Sequence, residues 1–115
     1  MLSQLSKQLV TMRSRINSTS LVTFYVPPTT RMADFSKMVN LELSKTPNIK
    51  SKQTRDGVST ALQAVSSQIK RMQSVPANGV VIFAGETEEG FQNVAIEPPR
   101  PIDRFFYRCD TKFWV

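Results

Sequence analysis

A layered α+β domain, with helices covering a sheet of about four strands, is the fold class this sequence predicts, and three observations predict it. Between Ser51 and Gln73, the residues Val58, Ala61, Leu62, Val65, Ile69 and Met72 recur at spacings of three and four, the apolar face of one long helix. Thr19 to Val26 is rich in β-branched and aromatic residues and stops at Pro27-Pro28, which reads as a strand. From Val80 onward the chain changes to short apolar runs separated by Gly and Pro turn signals. The element order is α, β, α, α, β, β, β, which packs most simply as helices on a sheet of about four strands.

The first element spans Met1 to Ile16, where Leu2, Leu5, Leu9 and Met12 recur at helical spacing. This stretch has basic residues, several Ser and no acid, as an organelle transit peptide also does, but the buried stripe favours a helix. After the strand at Thr19–Val26, Thr29 or Thr30 is placed to cap a second helix over Arg31–Ser44, with Met32, Phe35, Met38 or Val39, and Leu43 inward. Pro47 ends it, because a residue before proline disfavours the α region. The third helix tolerates Gly57 at a cost of about 1 kcal/mol relative to Ala. Val75–Gly79 is a turn, and Val80–Gly85 is apolar enough for a central strand covered on both faces. Glu86–Gly90 reads as a hairpin turn, Phe91–Glu97 as its return strand and Arg104–Cys109 as the last strand, reached through Pro98, Pro99 and Pro101.

Composition narrows the chemistry. The chain has 115 residues, 40% hydrophobic and 21% charged, with a net charge of +6, and its pI is near 9.9. That balance favours nucleic acid or an acidic surface as partner. The single Cys109 excludes an internal disulfide and fits a reducing, cytoplasmic compartment. Without histidine, Ser–His and Cys–His catalysis within the chain is excluded, and a His/Cys metal site has no ligand set. No cofactor is expected, and no run approaches the roughly 20 apolar residues of a membrane span.

Two clusters stand out. Lys45 to Arg55 holds four basic residues and no acidic one, and Asn48-Ile49-Lys50-Ser51 lies at its centre. A helix ends before it and another opens at Ser51, so a small polar tip with Lys50 at its centre is held out between two helices. Lys45, Lys52 and Arg55 are placed to meet phosphates, or else to form a solvated turn and local helix pairs. At the far end, Tyr107 and Cys109 share one face of a strand, with Phe113 following. A ring with a polar tip can stack on a base and still hydrogen-bond; equally, these residues could be core.

Taken together, the clusters resemble a known family. Asn48-Ile49-Lys50-Ser51 resembles the NIKS motif of class I peptide chain release factors of the eukaryotic and archaeal type, and Tyr107-x-Cys109-x-x-x-Phe113 resembles their YxCxxxF motif. Thr19-Ser20 is similar to the last two residues of their GTS motif. Glu42, six residues before Asn48, stands where the family carries an acidic codon-contacting residue. The resemblance runs over essentially the whole chain in the family's order, including Pro76-x-Asn78-Gly79 and Glu97-Pro98-Pro99.

What the resemblance implies is a domain that reads messenger-RNA stop codons in the ribosomal decoding site during translation termination. By match of position, Asn48 and Lys50 contact the first uridine, while Ile49 packs the tip. Glu42, Tyr107 and Cys109 discriminate at the later purines, and Thr19, with Ser20 beside it, lies at the third base. Ser51 and Phe113 complete the two motifs. The implied partners are the codon, small-subunit ribosomal RNA and, through domains outside this sequence, a class II release-factor GTPase; the chain is expected to be a monomer with no membrane partner. Residues 1–115 are expected to form one stop-codon recognition domain, a fragment of a longer factor. The family hydrolyses peptidyl-tRNA through a Gly-Gly-Gln motif in another domain, and no such tripeptide occurs here, so the chain itself is not expected to be an enzyme.

Two positions depart from the family pattern. Ser18 replaces the glycine of GTS, and Lys45-Thr46-Pro47 replaces a common Thr-Ala-Ser, giving a stiffer and more basic approach to the tip. A Pelota-like rescue domain is a rival reading that the NIKS and YxCxxxF matches oppose, since that type lacks both. A protein-binding module with a basic tip is the rival from another class.

Overall fold

The computed structural model describes residues 8–14 and 18–115. It contains a four-stranded antiparallel sheet with its two long helices on one face, the α+β class expected. The strands are β1 (Leu21–Val26), β2 (Val80–Thr87), β3 (Gly90–Ile96) and β4 (Phe106–Asp110), in the spatial order β3-β2-β1-β4. Two long helices, α1 (Met32–Lys45) and α2 (Lys52–Arg71), form a hairpin joined by a single 3₁₀ turn at Thr46–Asn48. Of the expected first helix, residues 8–11 are helical; Leu2 and Leu5 lie outside the described residues.

The long helix forms as its periodicity predicts. Val58, Ala61, Leu62, Val65 and Ile69 are all buried, and Met72 packs against them in part. Burying each Val- or Leu-sized side chain contributes about 1.5–3 kcal/mol. Opposite them, Val22, Phe24, Val26, Val80, Ile82 and Ala84 supply the sheet's inner face. On α1 only Phe35 and Val39 are fully buried; the choice between Met38 and Val39 falls to Val39, and Met38 is exposed.

Local chemistry shifts several boundaries. Neither Thr29 nor Thr30 caps α1: the Thr30 N–H donates to the Pro27 carbonyl at 3.0 Å, closing a turn after the proline pair, and Arg31 becomes the cap without a side-chain bond. The hairpin turn is shorter than Glu86–Gly90, because Glu86 and Thr87 still pair with Phe91 and Gly90. Thr87 stitches that turn by donating to the Gly90 carbonyl at 2.8 Å and accepting from the Glu89 N–H at 3.1 Å, while Gly90 takes a φ of 108°. β4 begins two residues later than Arg104, in antiparallel register with β1 that pairs Phe24 with Tyr107 and Val22 with Cys109.

Behind the sheet a second core gathers Leu9, Leu21, Val81, Phe83 and Phe113, with Met12, Tyr25, Ile96 and Ile102 against it. Leu21 and Val81 alternate with the residues under the helices, so both faces of β1 and β2 are covered, as a central strand requires. Among the described residues no helix is long and apolar enough to cross a membrane.

Candidate nucleic-acid interface

Register places the first pair of side chains. Because Val22 and Phe24 face the helices, their partners on the edge strand, Cys109 and Tyr107, face the same way. The Tyr107 ring stacks on Phe24 with centroids 4.6 Å apart, and its hydroxyl lies 2.9 Å from the Cys109 sulfur. Glu42 and Lys45 reach the same region from the last turn of α1, and Thr19 from the approach to β1. Thr19, Glu42, Ile49, Tyr107 and Cys109 thus line one cleft of about 460 Å³, within the roughly 300–1,000 Å³ of ordinary ligand sites.

Burial sets the protonation of this cleft. Desolvation, then the neighbouring thiol and the Glu42 carboxylate, push the Tyr107 hydroxyl far above its ordinary range. Desolvation also raises Cys109, assisted by Glu42 and partly opposed by the Tyr107 hydrogen bond. At neutral pH both are therefore uncharged, able to donate and accept but not to act as a thiolate nucleophile. Glu42 carries the cleft's negative charge and pairs with Lys45 at 3.4 Å.

The tip borders this cleft, which Thr46 and Ile49 help to line. Thr46 is buried, and its hydroxyl donates to the Leu43 carbonyl at 2.8 Å, tightening the end of α1. Ile49 turns inward against the core, while Asn48 and Lys50 are exposed. Ser51 caps α2, its hydroxyl accepting from the Thr54 N–H at 3.3 Å. Arg55 donates to the Ile49 carbonyl at 3.3 Å, and Lys52 pairs with Asp56 at 3.5 Å, so each has a local partner. Lys50 forms no ion pair among the described residues.

Five expected contact residues do not line the cleft: Asn48, Lys50 and Ser51 stay on the exposed tip, and Ser20 and Phe113 are buried elsewhere. Ser20 is buried; its hydroxyl lies 3.1 Å from that of Ser14 and accepts from Ser18 at 3.0 Å. Phe113 is buried on the far face of the sheet, edge-on to Phe83 at 5.4 Å. The strand ends at Asp110, whose carboxylate accepts from the Thr111 N–H at 2.6 Å, and this turn breaks the alternation that would have kept residue 113 in step with 107 and 109. Conversely, Thr46 and Arg108 line the cleft without having been singled out for it, as do Thr54 and Val58. The last two lie one helical turn apart on α2, and the nearness of Val58 to the tip was the available signal.

Gly57 has a positional role that helix propensity alone concealed. A Cβ there would meet the Cβ of Ser20 at 2.8 Å, so glycine lets α2 lie close against the segment that carries Thr19. Among the described residues no group of His, Cys, Asp and Glu could hold a metal ion.

The exposed polar tip and the cleft of mixed polar and aromatic groups stand on a basic α+β domain that known proteins share. A family profile described as eRF1 domain 1 matches residues 2–115. The chain is 42% identical over 105 residues to peptide chain release factor subunit 1 of Methanopyrus kandleri, covering 88% of this chain and 26% of that protein. It is 40% identical over 101 residues to the protein of the same name from Archaeoglobus fulgidus, covering 84% and 25%. A solved structure of the archaeal translation termination factor aRF1 superimposes with a TM-score of 0.90 at 36% identity, over 98% of this chain and 31% of that one. Another, described as an archaeal protein, gives a TM-score of 0.93, also at 36% identity, over 98% of this chain and 32% of its own. The chain belongs to the eRF1 domain 1 family. It spans about a quarter of the length of these curated relatives.

Proposed function

We propose that this chain is the stop-codon recognition domain of a class I release factor and that the cleft beside the tip holds the codon. The observation that carries the reading is the convergence of Thr19, Glu42, Tyr107 and Cys109, from three distant parts of the sequence, on one cleft lined also by Ile49 of the tip motif. On this reading Asn48 and Lys50 meet the first uridine. Glu42 accepts from exocyclic amines of the following purines and disfavours edges that present only acceptors. Tyr107 and Cys109, neutral and hydrogen-bonded to each other, offer a phenol and a thiol that exchange their mutual bond for bonds to a base edge. Thr19 lies at the third base. A wrong base leaves desolvated polar groups unpaired, which makes such a site selective.

The ribosome supplies most of the affinity. Two or three phosphate contacts on a single strand give a salt slope of only about −1.5 to −2. Peptide release itself is assigned to residues outside this chain, as are contacts with a GTPase partner. The test joins the chain to the remaining domains of an archaeal relative and measures release on ribosomes programmed with each stop codon. Lys50→Ala should reduce release sharply on all three while circular dichroism stays unchanged. Release at the original rate would remove Lys50 from the reading tip.

A further inference from the structure

Strand β4 has two faces, and the codon cleft uses one. Phe106 alternates to the other side, and Arg108, which also borders the cleft, reaches toward that side. There Phe106 lies edge-on to Tyr25 at 5.7 Å and 6.2 Å from the Trp114 ring. Trp114 is fixed at three points: its backbone N–H donates to Thr23 Oγ1 at 3.1 Å, its carbonyl accepts from the Tyr25 hydroxyl at 2.9 Å, and its indole Nε1 donates to Asp110 Oδ2 at 2.9 Å. The Arg108 guanidinium lies 4.3 Å from the Trp114 ring centroid and Lys112 Nζ 5.1 Å from it.

Beside these rings is a depression of about 570 Å³ lined by Tyr25, Phe106, Trp114, Arg100 and Arg104, with Asp103 its only acidic lining residue. Phe106 is 36% exposed. Arg100 and Arg104 are exposed as well, and neither forms an ion pair among the described residues. Rings and cations are therefore interleaved on one rigid surface, the pattern that grips single-stranded nucleic acid by stacking bases and neutralising phosphates. An acidic peptide would satisfy the guanidiniums but leave the accessible Phe106 ring without a stacking partner.

We propose that this platform is a second RNA-binding site, in which an unpaired base stacks against Phe106 beside Trp114 while its flanking phosphates rest on Arg100 and Arg104. Its rings lie on the opposite face of β4 from Tyr107 and Cys109, with Arg108 bordering both sides, and it does not depend on the codon reading. The edge strand would then hold RNA on both sides.

The single tryptophan makes the site directly observable, since Trp114 emission reports this surface and no other. The 115-residue chain is titrated at low salt with a single-stranded adenine decamer. Saturable quenching is expected, and Phe106→Ala should weaken binding about 5- to 160-fold. The double variant Arg100→Gln/Arg104→Gln should weaken it and reduce the log–log salt slope by about 1.4, or about 0.7 per phosphate. Removing the same charge elsewhere, with Lys70→Gln/Arg71→Gln at the end of α2, should leave quenching and slope unchanged. Should Phe106→Ala fail to fold, the arginine pair decides, because both side chains are exposed. No quenching, an unchanged slope in the arginine variant, or an equal response to polyglutamate would overturn the proposal. None of these results bears on the release assay, which reads the other face.

Discussion

Tyr107 and Cys109 show how a single hydrogen bond fixes the chemical character of a cleft. Both groups titrate above their ordinary values of 10.0 and 9.0 because burial disfavours their charged forms. A raised folded-state value means that the unfolded chain loses these protons first. The stability they contribute is complete below about pH 8 and falls as the pH rises through the unfolded values and toward the folded ones. Denaturant midpoints should therefore decline above about pH 9, and Tyr107→Phe/Cys109→Ser should flatten that limb. Half-buried Tyr25, also raised by desolvation, should leave part of it in place. A limb unchanged in the double variant would mean that neither group titrates as the burial implies. At this scale the sequence showed which residues share a strand face but not always which way that face pointed. Tyr107 and Cys109 were legible because a strand repeats every two residues. Phe113 was not, since the Asp110–Thr111 turn reverses the face, and Ser20 was hidden by a hydroxyl cluster that only three-dimensional packing assembles.

The helical hairpin holds the tip through few contacts, each of which can be removed singly. Ser51→Ala deletes the α2 cap and should cost about 1 kcal/mol in chemical denaturation. Gly57→Ala sets two effects against each other. Helix propensity favours alanine by about 1 kcal/mol, but the added Cβ falls 2.8 Å from that of Ser20, a contact between a helix and a strand head that cannot yield like a flexible side chain. The expected net result is destabilisation, with altered codon preference as Thr19 is displaced; a more stable variant would show that the helix can move away freely. Both helices were legible from their periodicity, α2 almost to its ends. The α1 cap was misplaced because Thr30 is engaged in the turn that follows Pro27, an interaction that residue preference does not reveal.

Across the whole molecule, Phe24 links the sheet to the hairpin and to the cleft. Its ring stacks on Tyr107 and meets Phe35 of α1 edge-on at 5.4 Å and Phe105 at 5.9 Å. Phe24→Leu should cost about 1.5 kcal/mol of stability. In the reassembled factor it should also change release unequally among stop codons, because Tyr107 loses the surface on which it rests. Equal loss on every codon would indicate general loosening instead. The layered architecture was legible because hydrophobic period and turn residues agreed in most elements. The second core behind the sheet was less so, since Phe113 and Ile102 join it from segments with no periodic pattern.

The pairing of phenol and sulfur gives the cleft its own chemical footprint. Cys109 is the only thiol in the chain, half-hidden and held protonated beside Tyr107. Alkylating reagents attack thiolates, so iodoacetamide should label the empty domain slowly at neutral pH and faster as the solution is made alkaline. A trinucleotide seated in the cleft would shield the sulfur, and the drop in labelling would measure occupancy directly, with neither a ribosome nor a released peptide.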